Sequence, residues 1–507
     1  MFQELEIKFA VRPEDAERIR VLTSLFGAKL RHPRDVGFEA LYFDTARYRL
    51  RHRGIDLRIK QSTDAADPDS RRATQTLKVA SELQHGSGGV LARDEYDTPV
   101  EGFELDAASA EAMLAGVQPP VSASELRPVF STVGRRTSHR IKWLGSDIQI
   151  SVDTGHYESR RGRRRRSPMS EIELELVKGD LVGLLDLAQR LNDAFPVRQT
   201  AFTKSDFGYH LTSAAFRLKP IKWKKHAGKV PLPTLKAQLG RSVTHFLIND
   251  PLVLNDRLEA IHQSRVAIRR IRAILRAHKS RLDYLERKGL NGELKWLQER
   301  LGEARDWQIF STEVMPRLSL PEAAMAEIDA YARAQTRRKL TEAMQHYESR
   351  RARRLILVLQ RWTAELDDSV KQDRKSRKKT FRKDAVNFMA IRRMPPITQP
   401  NDIHAVRILA KKLRYVFELS PELDEENVQG FRKALKRMQD AMGRYNDLAK
   451  AQELFSAAQS SAVAPSTLAA LRKQIESQQE SAFEKLKPRY ATFRRLTRKL
   501  LADLKAR

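Results

Sequence analysis

The chain has 507 residues, of which 41% are hydrophobic and 31% charged, so it can form two or more folded domains and is not disordered as a whole. The absence of cysteine excludes disulfides, thiolate catalysis and cysteine-based zinc sites. A formal net charge of +30 predicts a polyanionic partner: nucleic acid, polyphosphate, a phosphorylated small molecule or an anionic membrane face.

The amino terminus carries charged residues where a signal peptide would have an apolar core. No segment approaches the roughly 18 consecutive apolar residues that a membrane-spanning helix needs. We therefore expect a soluble, cytoplasmic protein without a membrane partner.

Residues 1 to about 210 contain short segments in which charged and apolar residues alternate, the pattern of β-strands with two different faces. These segments are ELEIKF, DLRIK, TQTLKV, DIQISVD and EIELELV. Helices are predicted between them, near 13–27 and 180–194. A proline-rich, charged stretch at 218–235 indicates a linker.

The charges of the predicted strands are sorted, with acids concentrated in the first and last segments and bases between them. Residues i and i+2 share one face of a strand, so each segment has one charged and one apolar face. An antiparallel sheet with a solvated outer face would show the same alternation. The sorting favours a closed barrel with a charged lumen. There, acids would bind Mg²⁺ or Mn²⁺ and bases would bind phosphate oxygens, which predicts a metal-dependent site for a short polyphosphate.

From about residue 236 the period of the hydrophobic pattern becomes 3.6, which predicts an all-helical domain. We therefore predict a barrel domain at 1–213, a linker at 214–235 and a helical domain at 236–505. Two basic runs, 159–167 and 371–379, fit either solvated surface or contact with a polyanion.

The helical half contains an internal duplication. HQSRVAIRRIRAIL (262–275) matches HAVRILAKKLRYVF (404–417), and LQERLGEARDWQ (297–308) matches MQDAMGRYNDLA (438–449). The nearly equal offsets predict two similar helical bundles.

Each copy places basic residues along one helix face, because positions i, i+3, i+7 and i+10 lie close together at 100° per residue. The first stripe consists of His262, Arg265, Arg269 and Arg272, with Arg270 beside it. The second stripe consists of His404, Arg407, Lys411 and Arg414, with Lys412 beside it. A pseudo-twofold axis would join the stripes into one basic surface suited to a chain of phosphates.

The first half resembles the CYTH, or triphosphate tunnel metalloenzyme, family. ELEIK (4–8) resembles its ExExK signature. The resemblance continues in order through YFDT (42–45), LRIK (57–60), TLKVA (76–80), RDEY (93–96), PVFST with Arg136, SVDTG (151–155), EIELEL (171–176) and KSDFGYH (204–210). It implies an eight-stranded antiparallel barrel with an open tunnel that cleaves tripolyphosphate or other triphosphates with Mg²⁺ or Mn²⁺.

Carried over by position, the resemblance implies metal ligands at Glu4, Glu6, Asp153, Glu171 and Glu173. It implies phosphate-binding residues at Lys8, Arg58, Lys60, Lys78, Arg93, Arg136 and Lys204. Glu4, Glu6 and Lys8 are the predicted catalytic residues. Lys60 replaces the arginine more usual in the family; it keeps the charge but lacks the bidentate fork. The residues between Lys60 and Thr76 are interpreted as an inserted hairpin loop.

Residues 230–505 resemble the CHAD family, the conserved histidine α-helical domain, through HxxRVxxRRxR, its repeat, and the LGxxRD and MGxxND segments. The resemblance implies two four-helix bundles about a pseudo-twofold axis, with inorganic polyphosphate bound in a basic central channel. No catalytic set is visible in this half. Association with polyphosphate granules would follow from such binding.

The leading hypothesis is a metal-dependent inorganic triphosphatase with a tethered polyphosphate-binding domain. The alternatives are a non-catalytic polyphosphate-binding protein, or a nucleotide triphosphatase, thiamine triphosphatase or adenylate cyclase of the same tunnel family. A nucleic-acid binder is disfavoured, because only 7% of residues are aromatic and no stacking motif is visible. The oligomeric state and the choice among triphosphates stay open.

Overall fold

The structure is a computed structural model that describes residues 2–80, 88–223, 234–278, 282–366, 426–456 and 462–506, with single residues and short stretches between 397 and 414. The chain divides into two compact units. The first unit comprises 1–223, 236–267 and 348–366, and the second comprises 224–235, 268–347 and 367–507.

The first unit is built around a ring of antiparallel strands. The strands are β1 (Phe2–Ala10), β2 (Ser24–Leu25), β3 (Ala28–Lys29), β4 (Arg31–Asp44), β5 (Ile55–Asp64), β6 (Asp67–Ala80), β7 (Leu91–Val100), β8 (Arg127–Trp143), β9 (Ser146–Ser159), β10 (Arg166–Lys178) and β11 (Arg198–Thr200). Eight of them follow in the order β10-β9-β8-β4-β5-β6-β7-β1, and β1 pairs with β10 to close the ring. The predicted eight-stranded antiparallel barrel is confirmed.

The apolar face of the strands points outward. Ile7 and Phe9 of β1 and Ile172 and Leu174 of β10 are fully buried, in a cluster that also contains Leu187. Because neighbouring residues of a strand face opposite ways, the alternating charged residues point into the barrel. The charged face is therefore the lumen, as the sorting of charges predicted.

Two details of the predicted barrel were wrong. The helix expected over 13–27 ends at Arg20, and the chain turns where Phe26 and Gly27 have φ values of 53° and 83°, which an α-helix does not allow. The residues between Lys60 and Thr76 do form a hairpin, as predicted, but most of them are strand and not loop. They extend β5 and β6, which pair as far as Asp64 and Asp67.

Four α-helices lie in the described part of the first 212 residues. After residue 234 the described segments are helical, as predicted. The helices are α1 (Pro13–Arg20), α2 (Ala107–Leu114), α3 (Leu181–Ala194), α4 (Lys204–Thr212), α5 (Leu235–Leu247), α6 (Arg257–Ala277), α7 (Tyr284–Arg300), α8 (Gly302–Ile309), α9 (Glu322–Glu348), α10 (Arg350–Glu365), α11 (Glu426–Ser456) and α12 (Pro465–Ala506). No helix within these described segments combines the length and apolar composition of a membrane span.

The two members of the second repeated segment differ locally. LGEARD crosses from α7 into α8, whereas its counterpart lies inside the uninterrupted α11. The core of the second unit contains Trp307 from the first copy, packed at 5.4 Å between ring centroids against Phe455. The basic run 371–379 lies outside the described residues, and the arrangement of two bundles about a pseudo-twofold axis stays a prediction.

Asp44, at the end of β4, is a structural carboxylate of the YFDT segment. It is fully buried and accepts hydrogen bonds from the backbone N–H groups of Thr45 at 2.7 Å, Leu50 at 3.0 Å and Arg51 at 3.0 Å. The Tyr209 hydroxyl donates a fourth hydrogen bond at 2.8 Å.

We expect Asp44→Ala to lower the free energy of unfolding by about 2–4 kcal/mol, because buried donors lose their acceptor.

Urea denaturation measures this effect. Asp35→Ala is the control, because Asp35 is more exposed and pairs with Arg135 on the outer surface, where an ion pair contributes about 1 kcal/mol or less. Equal losses of stability in the two variants would contradict the structural role of Asp44.

Candidate active site

The inward-facing side chains enclose a cavity of about 270 Å³ in the barrel lumen. Its acidic lining residues are Glu4, Glu6, Asp56, Glu95, Asp97, Glu173 and Glu175. Its basic lining residues are Lys8, Arg58, Lys60, Lys78, Arg93, Arg136 and Lys204. The seven residues predicted to bind phosphate thus all line one cavity, in which acidic and basic groups are equal in number.

Three of the predicted metal ligands lie together. Asp153 of β9 and Glu171 and Glu173 of β10 are buried, and each offers a carboxylate oxygen within 4.8 Å of the other two. The strand register explains this, since Glu171 lies directly opposite Asp153. Carboxylate oxygens are the donors that Mg²⁺ and Mn²⁺ prefer, so this donor set fits either ion.

The other two predicted metal ligands, Glu4 and Glu6, lie in ion pairs of their own. Lys78 donates to Glu4 at 2.7 Å, and Arg93 donates to Glu6. Lys8 Nζ lies 3.6 Å from Glu6 and is hydrogen-bonded to Glu173. Glu6 is therefore linked to the three-carboxylate cluster through one shared lysine.

Lys204 reaches the carboxylate cluster from outside the strands. It is the first residue of α4, where Thr203 and Asp206 form a reciprocal capping box that fixes the start of the helix. Its Nζ lies 2.8 Å from Asp153 and 2.7 Å from Glu173, and it also contacts Glu171. A positively charged group thus sits where the three carboxylates converge, which shows that this position favours a cation.

The electrostatics of the cluster keep most of its carboxylates ionised. Burial acts to raise the pKa of Glu173, but Lys204, Lys8 and Arg136 together hold it well below its ordinary value. For Asp153, burial is outweighed by Arg136 and Lys204, and the pKa falls to about 2. Burial raises the pKa of Glu171 despite the opposing charge of Lys204. At neutral pH the cluster is anionic and suited to bind a divalent cation.

Four acids of the lumen were not among the predicted site residues. Glu95 lies 3.2 Å from Lys78, Asp56 lies 3.9 Å from Arg93, and Asp97 and Glu175 complete the lining. The signal that finds them is the alternation itself. Each stands two residues, or a multiple of two, from a predicted site residue on the same strand, and so faces the same way.

Lys60 is unusual among the basic residues of the lumen. It makes no ion pair with any described residue and lies 5.3 Å from the ring centroid of Phe38. Burial, with Arg136 and Arg58 nearby, holds the pKa of Lys60 well below its ordinary value. The lysine therefore keeps its positive charge less firmly than the arginine usual in the family would.

Glu175 has the opposite shift. Burial, with Glu4 and Glu6 nearby, raises its pKa from the ordinary 4.5 to about 7. Between these pH values the folded protein retains a proton that the unfolded chain has lost, so this residue makes the free energy of unfolding fall as pH rises.

We expect Glu175→Gln to be more stable than the unsubstituted protein at pH 8 and similar to it at pH 4.5. Urea denaturation at both pH values tests this, and parallel stability profiles would contradict it.

In the helical region, the first basic stripe lies as predicted along α6, where His262, Arg265, Arg269 and Arg272 are all half-buried. Arg272 donates to side-chain oxygens of Asn291 and Gln298, at 3.0 Å each. Arg270, beside the stripe, is also half-buried.

Residues of the second stripe are described in part. Arg407 and Lys411 are half-buried and Arg414 is exposed, whereas His404 and Lys412 lie outside the described residues. Burial lowers the pKa of Arg407, and Arg269 lowers it further, while Asp447 and Asp306 oppose the change. One arginine from each stripe therefore lies within electrostatic range of the other, beside the acids of the second repeated segment.

Two family models match the chain, one in the barrel region and one in the helical region. The CYTH domain model matches residues 3–209, and the CHAD domain model matches residues 237–456. An inorganic triphosphatase from Haemophilus influenzae is 28% identical over 223 residues, which cover 43% of this chain and 57% of the relative. The chain thus matches a little over half the length of that protein.

Solved structures also match each part of the chain. The CHAD domain of the plant Ricinus communis is 24% identical, with a TM-score of 0.44, and the match covers 53% of this chain and 96% of that one. An adenylyl cyclase candidate from Hippeastrum with a dominant triphosphatase activity is 17% identical, with a TM-score of 0.28, and the match covers 42% of this chain and 99% of that one. By the two family models, the chain combines a CYTH domain in its N-terminal barrel with a CHAD domain in its helical region.

Proposed function

We propose that the barrel hydrolyses inorganic triphosphate in a reaction that depends on Mg²⁺ or Mn²⁺, and that the helical domain binds inorganic polyphosphate. The domains extend over 1–213 and 236–505, with a linker at 214–235. The observation that carries the enzymatic proposal is the lumen, where a buried three-carboxylate cluster lies beside seven basic side chains.

The balance of charges in the lumen supports metal dependence. Seven acidic residues offset seven basic ones in the lining, so the cavity by itself has little net attraction for a polyanion. A divalent cation held by Asp153, Glu171 and Glu173 would neutralise these carboxylates and release Lys8, Arg136 and Lys204 to bind phosphate oxygens.

A cation bound there would draw electron density from a phosphoryl oxygen and lower the pKa of a coordinated water. The protein's own basic residues would neutralise the substrate and stabilise the charge that develops on the pyrophosphate leaving group. We assign this role to Arg58, Lys78 and Arg93, which line the cavity from β5, β6 and β7. Glu4 or Glu6 would hold the attacking water in line with the terminal phosphorus and accept a proton from that water.

The lining also supports an inorganic substrate. Phe38 and Tyr42 are the aromatic side chains among the described lining residues. Lys60 lies over the ring of Phe38, and Tyr42 stacks on Phe130 with 4.3 Å between ring centroids. These aromatic rings already contact other side chains of the protein, so the lumen offers charges that bind phosphates and little aromatic surface on which a nucleobase could stack.

For the helical domain, the support is the approach of Arg269 to Arg407. Burial and the charge of Arg269 both lower the pKa of Arg407, so a polyanion placed beside these two half-buried arginines would favour the charged form of Arg407. Long linear polyphosphate meets this requirement, and we do not propose nucleic acid as a partner. Such binding would place the protein in the cytoplasm, at polyphosphate granules.

A phosphate-release assay on the full chain tests the choice of substrate. Tripolyphosphate, ATP, thiamine triphosphate and long polyphosphate are compared at equal concentration with Mg²⁺ and with Mn²⁺. We expect the highest kcat/KM for tripolyphosphate. A much higher value for ATP or thiamine triphosphate would show that the lumen recognises an organic group and would overturn the proposal of an inorganic triphosphatase.

A further inference from the structure

A second cavity, of about 510 Å³, adjoins the lumen where β4 begins and β8 ends. We call it the vestibule. Its basic lining residues are Arg31, Arg34, Lys60, Arg136, Arg140 and Lys142. Lys60 and Arg136, with Ser62, also line the lumen cavity, so the two spaces share a wall of basic residues.

The vestibule differs from the lumen in its balance of charge. In the described part of the chain its lining contains one carboxylate, Asp147. Arg140 donates to Asp147 at 2.9 and 3.1 Å and Lys142 donates at 3.0 Å. These hydrogen bonds hold the pKa of Asp147 at about 2. One carboxylate is therefore shared by two bases.

Two other bases of the vestibule have no such neutralisation. Arg31 and Arg34 are exposed and make no ion pair with a described residue. Cross-strand register places Arg31 opposite Arg140 and Arg34 opposite Ser138. Several positive charges thus face one cavity with a single, already shared, carboxylate, and the vestibule attracts anions with or without a metal ion in the lumen.

The opposite end of the barrel is covered by α4. Tyr209 donates to Asp44 at the end of β4, Ser205 donates to Asp56 at the start of β5, and Gly208 lies against the ring of Phe130 near the start of β8. Because the strands are antiparallel, these positions share one end of the barrel. Arg34 and Lys142 lie at the other end, so the vestibule is the mouth that α4 does not cover.

We propose that the vestibule is a second phosphate-binding site, which captures incoming triphosphate and makes this mouth the one through which the substrate enters the lumen. This inference rests on the proposed function. Arginine binds phosphate oxygens through a planar fork and attracts them over several ångströms. An anion held by Arg31 and Arg34 can pass to Lys60 and Arg136, which face both cavities, without losing contact with positive charge.

The test is the double variant Arg31→Gln/Arg34→Gln of the full chain, with tripolyphosphate as substrate. We expect kcat/KM to fall about five- to tenfold, the effect of losing two exposed charge contacts. We expect kcat to be unchanged, because neither residue touches the reacting phosphate. The decline of kcat/KM with rising salt should also become less steep, because fewer charges then attract the substrate.

The matched control is Arg333→Gln/Arg338→Gln, which removes the same charge from exposed positions on α9. It should change kcat/KM less than twofold. If the unsubstituted protein cleaves tripolyphosphate and the vestibule variant behaves like this control, the vestibule proposal is wrong while the proposed function stands.

A separate measurement covers the case in which the unsubstituted protein cleaves no triphosphate, which would overturn the proposed function. Calorimetric titration with tripolyphosphate, without metal, then compares the unsubstituted chain with Arg31→Gln/Arg34→Gln. A five- to tenfold loss of affinity would still support the vestibule as an anion site. Equal affinities would overturn it.

Discussion

Glu173→Gln is expected to lower kcat for tripolyphosphate by a factor of about 10³, on the scale of losing a principal electrostatic group of an active site. Glu173 is buried, belongs to the three-carboxylate cluster and accepts hydrogen bonds from Lys8, Lys204 and Arg136. A glutamine keeps the shape but carries no charge. It would weaken the hold on a divalent cation and leave the buried Lys8 and Lys204 and the half-buried Arg136 with less compensating charge.

The control is Glu158→Gln. Glu158 is also a buried glutamate near several arginines, but it lies on β9 an odd number of residues from Asp153 and therefore faces away from the lumen. Its substitution should leave kcat within a factor of two. Circular dichroism and thermal unfolding establish that both variants are folded. A folded Glu173→Gln protein with full activity would show that the carboxylate cluster has no part in the reaction.

Neutralising four arginines of the basic stripes, Arg265, Arg272, Arg407 and Arg414, is expected to weaken polyphosphate binding by the full chain about 100-fold or more at low salt. Each arginine that contacts a linear polyanion releases a counterion from it. The slope of log affinity against log salt concentration should therefore become less steep, by an amount that corresponds to several lost contacts. Calorimetric titration with long-chain polyphosphate at two or three salt concentrations measures both quantities.

The matched control replaces Arg333, Arg338, Arg495 and Arg498 with glutamine, four exposed arginines outside the stripes. It should retain most of the affinity. If both quadruple variants bind equally well, the binding site lies elsewhere, for example in the basic runs 159–167 or 371–379. Displacement of polyphosphate from the unsubstituted chain by an equal amount of double-stranded DNA phosphate would favour a general nucleic-acid surface.

The strands of the barrel and most of the lumen residues can be predicted from the sequence, because side chains of a strand alternate between its two faces with a period of two residues. Alternation in ELEIK and EIELEL predicts which residues share a face, and the same rule extends to Glu95 and Glu175, which the family motifs do not single out. The closure of the strands into a ring is harder to predict from the sequence. It depends on the pairing of β1 with β10, and no local pattern specifies which strands pair over such a distance.

The three-carboxylate cluster and the vestibule depend on register between strands, which the sequence does not show. Asp153 and Glu171 become neighbours because β9 and β10 pair at those residues. Arg31 and Arg140, far apart in the chain, meet because β4 pairs with β8. Lys204 comes from a helix, so alternation cannot find it; only the resemblance to the CYTH family placed it at the site.

The most direct test of a metal-dependent triphosphatase is phosphate release from tripolyphosphate by the full chain, freed of metal with EDTA and then supplied with Mg²⁺ or Mn²⁺ in excess. We predict no release above background in EDTA and sustained release once either ion is restored. Equal release in EDTA, or no release from the folded protein with either ion, would contradict the assignment of the barrel lumen as a metal-dependent triphosphatase site.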